Sequence, residues 1–282
     1  MKLQRVLLRM PLGVNKMQND IVMIIMSCDA FSDLWGGHIK LLGQNWNDRG
    51  MKTVIVTDRK TDKSYDGVDV FFPENCADWS DRLKAAATFY DANYYFVTLD
   101  DYYIINRINN TRIQELFRIV KEEKVDYMRL FKHPVRATGE KFASRDDLHF
   151  IKTEEMYSVN LYSGIWKKEF LFSCFGKPLN AWEFEVSLSK KARDYNAKCV
   201  VDIAEDFEIL DVVRKGKLIR KAGRYIKKHG LYTGDRKTNS LWFEFKLGIK
   251  VFARRHLPSR IRPWTRKIAV KFGMRSYSNG SS

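Results

Sequence analysis

Three short apolar runs, DIVMIIMSC (20–28), KTVIVTD (52–58) and YYFVTLDDYYI (93–103), constrain the fold of this chain more than any other feature. Each is continuous rather than alternating, and each is too short for an ordinary helix, so they read as strands covered on both faces. Helical patterns separate them. SDLWGGHIKLLGQNWNDRG opens on Ser and Asp, sets Leu34, Ile39, Leu42 and Trp46 on one stripe and stops at Gly50. After a short strand VDVFF (68–72), residues 78–92 turn Trp79, Leu83, Ala86, Ala87 and Tyr90 inward, and TRIQELFRIVKEEK (111–124) leads to a strand VDYMRLF (126–132). Strands alternating with helices predict an α/β sandwich whose sheet is largely parallel.

Beyond residue 133 the alternation stops. An irregular excursion is followed by strands at HFIK and YSVNLYSGIW, with Gly164 as a bend, then a helix at KKEFLFSCF and another opening near Trp182. Two further strands, KCVVDIA and FEILDVV, precede a turn at RKGK.

Charge divides the chain. Its net charge is +16, yet between Arg214 and Arg275 20 Lys and Arg stand against only Asp235 and Glu244, so the residues before them are close to neutral. The reading is a basic N-terminal arm over 1–19, an α/β catalytic domain over 20–213 and a basic extension over 214–282. No apolar run reaches the roughly 18 residues of a membrane span. MKLQRVLLRMPLGVNK is broken by Arg9 and Pro11 and reads as an arm rather than a signal peptide. Four cysteines without a CxxC pair fit reduced thiols in a cytosolic setting, not a disulfide framework or zinc site.

In a parallel sheet, ligands gather at the carboxyl ends of the strands. Here those ends carry Ser27 to Asp29, Thr57 with Asp58, and the adjacent pair Asp100 and Asp101. Such a pair can cap a turn, hold a divalent cation through hard oxygen ligands, or accept hydrogen bonds from a ribose.

SCDAFSD after the first strand, TD after the second, TLDDYYI after the central one and NAWEFEVSL further on together resemble the GT-A-type glycosyltransferases, most closely bacterial enzymes of capsule and other surface polysaccharides. The resemblance covers about residues 20 to 215. It implies a Rossmann-like, mostly parallel sheet, a nucleotide-diphosphate sugar donor, a lipid-linked saccharide acceptor, and Mn2+ or Mg2+ held at the end of the central strand. The family's Asp-x-Asp motif is altered here, because Tyr102 stands where its second Asp would be. The expected metal ligands are therefore Asp101 and Asp100, with Asp100 also on the donor side; His149 and His229 are candidates for a third ligand. Cys28, Asp29, Phe31, Asp58 and Arg59 are expected beside the donor base and phosphates, with Lys217 on the departing diphosphate. Glu185 or Glu183 is expected to take the acceptor proton in an inverting transfer. Trp182, able to stack on a sugar ring, and Gly164 are expected on the acceptor side.

The extension suggests a location. LWFEFKLGIKVFARRHL (241–257) sets Leu241, Phe245, Ile249 and Phe252 along one helical stripe with cations elsewhere, and WTRKIAVKFGMR repeats the theme. That pattern describes an interfacial segment drawn to anionic lipid, so the chain is expected on the cytoplasmic face of the cell membrane. No nucleic-acid motif accompanies the charge. A nucleotidyltransferase or a non-catalytic binder of membranes or polyanions are the competing readings.

Overall fold

The computed structural model describes residues 20–245. Of these, residues 20–212 with Ile226–Gly234 form one compact unit, and Val213–Tyr225 with the residues from Asp235 onward form a second. The basic arm over 1–19 and the amphipathic stripe beyond residue 245 lie outside the described residues.

In chain order the first unit contains β1 (Ile21–Met26), α1 (Trp35–Asn45), β2 (Lys52–Val56), β3 (Val68–Phe71), α2 (Trp79–Phe89), β4 (Tyr94–Leu99), β5 (Tyr102–Ile104), α3 (Asn110–Glu122) and β6 (Tyr127–Arg129). It continues through β7 (Thr138–Lys141), β8 (Leu148–Ile151), β9 (Gly164–Lys167), α4 (Lys168–Ser173), α5 (Ala181–Tyr195), β10 (Cys199–Asp202) and β11 (Ile209–Asp211). The main sheet runs β3-β2-β1-β4-β9-β6-β10-β8-β7. β3, β2, β1 and β4 are parallel; β9 runs against both β4 and β6, and β10 is parallel to β6. The carboxyl ends of β1, β2, β4, β6 and β10 therefore share one edge, the place the apolar runs predict for a ligand.

Side-chain alternation makes this a three-layer sandwich. Ile21, Met23 and Ile25 of β1 join a core with Trp35, Leu42 and Trp46 of α1 and with Ile113, Leu116 and Phe117 of α3. Val22, Ile24 and Met26 join the opposite core, under Leu83 and Ala86 of α2, Phe170 of α4 and Phe184 and Leu188 of α5. Because successive side chains on a strand point to opposite faces, only an uninterrupted apolar strand can feed both cores. Each large side chain so buried contributes about 1.5–3 kcal/mol.

α1 begins at Trp35, after a 3-10 turn at Asp29–Phe31, and ends at a cap on Trp46 rather than running on to Gly50. Of YSVNLYSGIW only the last four residues, Gly164–Trp166 and the following Lys, form strand. Gly164 is buried in β9 between Val97 and Arg129. A Cβ there would meet the Met128 carbonyl oxygen at 2.9 Å and the Tyr127 ring at 3.1 Å. Sheet packing by itself accounts for a glycine here.

In the second unit β12 (Val213–Arg214) and β13 (Lys217–Leu218) form a hairpin through Lys215 and Gly216, both at positive φ. The Asn239 side chain donates to the Arg214 and Lys217 carbonyls at 3.3 and 3.2 Å. α6 (Arg220–Lys228) follows.

An ion cluster secures the chain between β10 and β11. Arg112, in the first turn of α3, pairs with Asp147 at 2.5 Å, Asp206 at 3.0 Å, Glu115 at 3.1 Å and Asp202 at 3.3 Å. Burial, with the neighbouring Asp206 carboxylate, pushes Asp202 up to about 7 from its usual 3.8. The fold thus holds this proton more tightly than the unfolded chain does. Asp202's contribution to stability is present below its ordinary value and is lost as pH rises through about 7. Buried His38, kept neutral by desolvation down to about 4, acts in the opposite sense, its contribution being lost as pH falls from 6.5 through that value. Asp202→Asn is accordingly expected to make the urea midpoint fall less, or rise more, between about pH 4 and 7 than in the unaltered chain, the window between the two values. An unchanged slope would show that Asp202 is already ionised there.

Candidate functional site

The edge where β1, β2 and β4 end is organised around Asp100. This residue is 6% exposed, and its carboxylate accepts a hydrogen bond from the Ser27 hydroxyl at the end of β1. Ser27 Oγ in turn accepts from the Trp35 indole at 2.6 Å. The Asp100 backbone N–H donates to Met26 and its carbonyl meets His38 Nδ1 at 2.9 Å. A neutral imidazole donates there, as the depressed pKa of His38 requires.

On one side of this anchor stand the expected donor residues. The Asp29 amide donates to the Asp58 carboxylate at 2.6 Å, joining the ends of β1 and β2, and Arg59 approaches Asp29 at 3.9 Å from an exposed position. Burial raises the Cys28 thiol pKa, with Asp100 and Asp58 adding to the effect, so the three side chains share one neighbourhood. Phe31 is half-buried in the following turn. A cavity of about 490 Å³ lies beside α1, lined by Ser32, Lys40, Lys63 and Tyr65 among others, and none of the expected site residues lines it.

On the other side stands Tyr102. β5 pairs with β11 so that Tyr102 faces Asp211, and the Val212 amide donates to the Asp101 carbonyl at 2.9 Å. Burial raises the Tyr102 phenol well above its usual range, and Tyr162, Asp101, Asp211 and Glu185 each push it further. Asp101 from the turn before β5, Asp211 of β11 and Glu185 of α5 thus all act on one phenol.

The two glutamates of α5 have different surroundings. Glu183 is exposed and closes a capping box, its carboxylate accepting from the Asn180 amide at 3.2 Å while the Asn180 side chain accepts from the Glu183 amide at 3.0 Å. Glu185, one turn position further inward, accepts from the Leu161 amide at 3.2 Å, and burial raises its pKa above the ordinary glutamate range. Trp182, on the same turn, is half exposed. Lys217 lies exposed in the second unit.

Among the described residues no group of three or more His, Cys, Asp or Glu is spaced to hold a metal. Both His149 nitrogens meet backbone oxygens, of Gly139 and Asp146, which makes this ring a strut of the β7–β8 hairpin. Asp101 precedes Tyr102 and Asp211 pairs with it across β5 and β11, so two carboxylates lie at one end of that ladder, the number magnesium commonly takes from a protein when substrate oxygens supply the rest. Asp211 and Tyr162 flank Tyr102 and are residues that pattern reading does not single out. The β5–β11 pairing that delivers Asp211 joins segments about a hundred residues apart and leaves no local mark.

No family model matches the sequence, and no curated protein matches it. Among solved structures, GalNAc-T7 with UDP, GalNAc and Mn2+ superposes over 71% of this chain and 45% of its own, at 9% identity and a TM-score of 0.50. S. aureus TarS 1–349 matches 67% of this chain and 59% of its own at 15% identity and TM-score 0.47; a cytidylyltransferase from Leptospira borgpetersenii matches 79% and 100% at 11% and 0.41. The chain spans less than two thirds of the length of TarS 1–349 or of GalNAc-T7. The likeness to GalNAc-T7 concerns the fold, and with the sheet order above it shows that this α/β chain has the GT-A architecture.

Proposed function

We propose that the chain is a glycosyltransferase that moves one sugar from a nucleotide-diphosphate donor to a lipid-linked glycan in surface polysaccharide synthesis. The observation that carries this reading is that Asp101 and half-buried Glu185 both act on Tyr102, at the carboxyl edge of a GT-A sheet. In this reading one carboxylate serves the leaving diphosphate and the other the incoming hydroxyl. A solved structure of similar fold, GalNAc-T7, is described with UDP, GalNAc and Mn2+.

In the proposed inverting step the acceptor oxygen bonds to the anomeric carbon as the bond from that carbon to the diphosphate breaks. Glu185 Oε takes the acceptor proton, and its raised pKa makes it a stronger base than an exposed glutamate. Cys28, Asp29, Phe31 and Asp58 would flank the donor base and ribose, Arg59 the phosphates, and Trp182 the acceptor. Asp101, with Asp211 beside it, would hold Mn2+ or Mg2+, which when bound supplies positive charge to the departing diphosphate. Glu183 serves the helix cap, which leaves the base role to Glu185.

The membrane assignment rests on Leu241, Trp242 and Phe245, all exposed at the start of the amphipathic stretch. No described helix is long and apolar enough to cross a bilayer. Attachment would be peripheral, on the cytoplasmic face.

A screen of nucleotide sugars for nucleoside diphosphate release, paired with thermal shift in the presence and absence of Mn2+, tests the activity. Release of inorganic diphosphate from a nucleoside triphosphate would instead mark a nucleotidyltransferase, and no response to any nucleotide would leave only a binding protein. Asp101→Ala is expected to abolish the Mn2+-dependent nucleotide shift while the apo protein melts nearly as before. Asp100→Ala is expected to lower stability itself by about 1–3 kcal/mol, because the Ser27 hydroxyl that anchors the Trp35 indole loses its carboxylate acceptor.

Glu185→Gln should slow transfer by about 10²–10⁴-fold. As a base Glu185 works deprotonated, so kcat/KM should rise with pH through a value above the usual 4.5. The variant should lack this limb, and its persistence in Glu185→Gln would assign the base elsewhere.

A further inference from the structure

Tyr102 begins an unbroken row of rings that the proposed chemistry does not use. Its ring stacks on Tyr162 with centroids 5.3 Å apart and planes 18° from parallel. Tyr162 packs on Phe131 at 4.7 Å, and Phe131 on His133 at 5.4 Å. The four rings come from three separate segments, the start of β5, the residues before β9 and those after β6. All four are half-buried, and none belongs to either hydrophobic core. Rings assembled from three segments, with faces neither in the core nor fully in water, form a surface suited to a flat, partly apolar ligand.

Position narrows the ligand. Leu161, whose amide holds Glu185, is the residue before Tyr162, so the row starts beside the proposed base. In the sheet order it lies on the β9 and β6 side of β4, whereas Cys28, Asp29 and Asp58 lie on the β1 and β2 side. A donor base stacked on this row would leave those residues without a ligand.

We propose that the row binds the terminal residue of a neutral saccharide, so that the chain extends an existing glycan and does not attach the first sugar to a carrier phosphate. This inference rests on the glycosyl-transfer reading. Aromatic faces cover the C–H face of a pyranose, while Glu185, held by the amide next to Tyr162, accepts a hydrogen bond from one of its hydroxyls. The Glu185 carboxylate, which no cation pairs in the proposed chemistry, repels a phosphomonoester. The cations along the row are already engaged. The Arg129 guanidinium is fully buried and donates to the carbonyls of Phe131 at 2.7 Å, Ser158 at 2.6 Å and Lys132 at 3.4 Å, and Lys132 pairs with Glu205 at 2.7 Å. An earlier reaction, joining a first sugar to the carrier, must then supply the substrate.

Saturation-transfer NMR tests this without donor or turnover. The probes are methyl glycosides and neutral disaccharides of the common hexoses and N-acetylhexosamines, with farnesyl phosphate as the carrier-phosphate mimic. Ring-proton saturation of at least one saccharide is expected, with Phe131→Tyr retaining it and Phe131→Ala and Tyr162→Ala each binding about tenfold more weakly. Circular dichroism and melting of Phe131→Tyr and Phe131→Ala separate loss of the ring from loss of the fold. Saccharide binding indifferent to both alanine variants, no saccharide binding at all, or displacement of saccharide by farnesyl phosphate would overturn the proposal. The glycosyl-transfer reading fails separately, by absence of nucleoside diphosphate release in the donor screen.

Discussion

The hydrogen bond from Ser27 to Asp100 is the contact on which the rest of the site depends. A carboxylate at the end of a buried strand is costly unless its oxygens are satisfied. Here a hydroxyl from the neighbouring strand meets it, an indole supports the hydroxyl, and an uncharged imidazole meets the carbonyl of the same residue. With Asp100 turned inward, the chain enters β5 directly, and Tyr102 to Ile104 pair with β11. That pairing sets Asp101, Tyr102 and Asp211 together. Two adjacent aspartates thus have different surroundings, the first among the buried polar groups of the scaffold and the second half-buried at the edge.

The parallel half of the sheet is legible in the sequence because its strands are buried on both faces, which only continuous apolar runs can satisfy. DIVMIIMSC, KTVIVTD and YYFVTLDDYYI each become a central strand, and their polar ends meet at one edge as the pattern implies. The antiparallel half is far less legible. YSVNLYSGIW is as apolar as the strands before it, yet residues 157–163 are irregular, because Tyr162 packs against rings from other segments and Leu161 uses its amide on Glu185. His38 and Trp35 look like ordinary members of an amphipathic helix, and their polar atoms matter only once Asp100 is folded beneath them. The distinction between Glu183 and Glu185 was half visible. Asn180 three residues before Glu183 is a capping-box pattern, whereas the burial of Glu185 depends on a segment that arrives from before β9.

Tyr102 occupies the place of an expected acid, and its surroundings explain how a phenol can stand there. A fourth carboxylate beside Asp101, Asp211 and Glu185 would add repulsion in a partly desolvated position. A phenol in that setting stays neutral, its pKa raised by burial and by the acids around it. It separates the carboxylates on the β5–β11 side from the one on α5 without adding charge. Its ring face also continues into Tyr162, so one side chain joins the acidic centre to the aromatic row.

Glu185 shows why such a centre is built from distant segments. A general base is more effective when its pKa is moved toward the working pH, and burial is the direct means of doing so. Burial alone would leave the carboxylate without a partner, and a cation partner would lower the pKa again. A single backbone N–H from Leu161 avoids both outcomes, since it orients one oxygen and contributes a dipole, not a full charge. The same peptide segment places Tyr162 against Tyr102. The proposed base and the aromatic row are therefore positioned by one stretch of chain, Leu161 through its amide and Tyr162 through its ring.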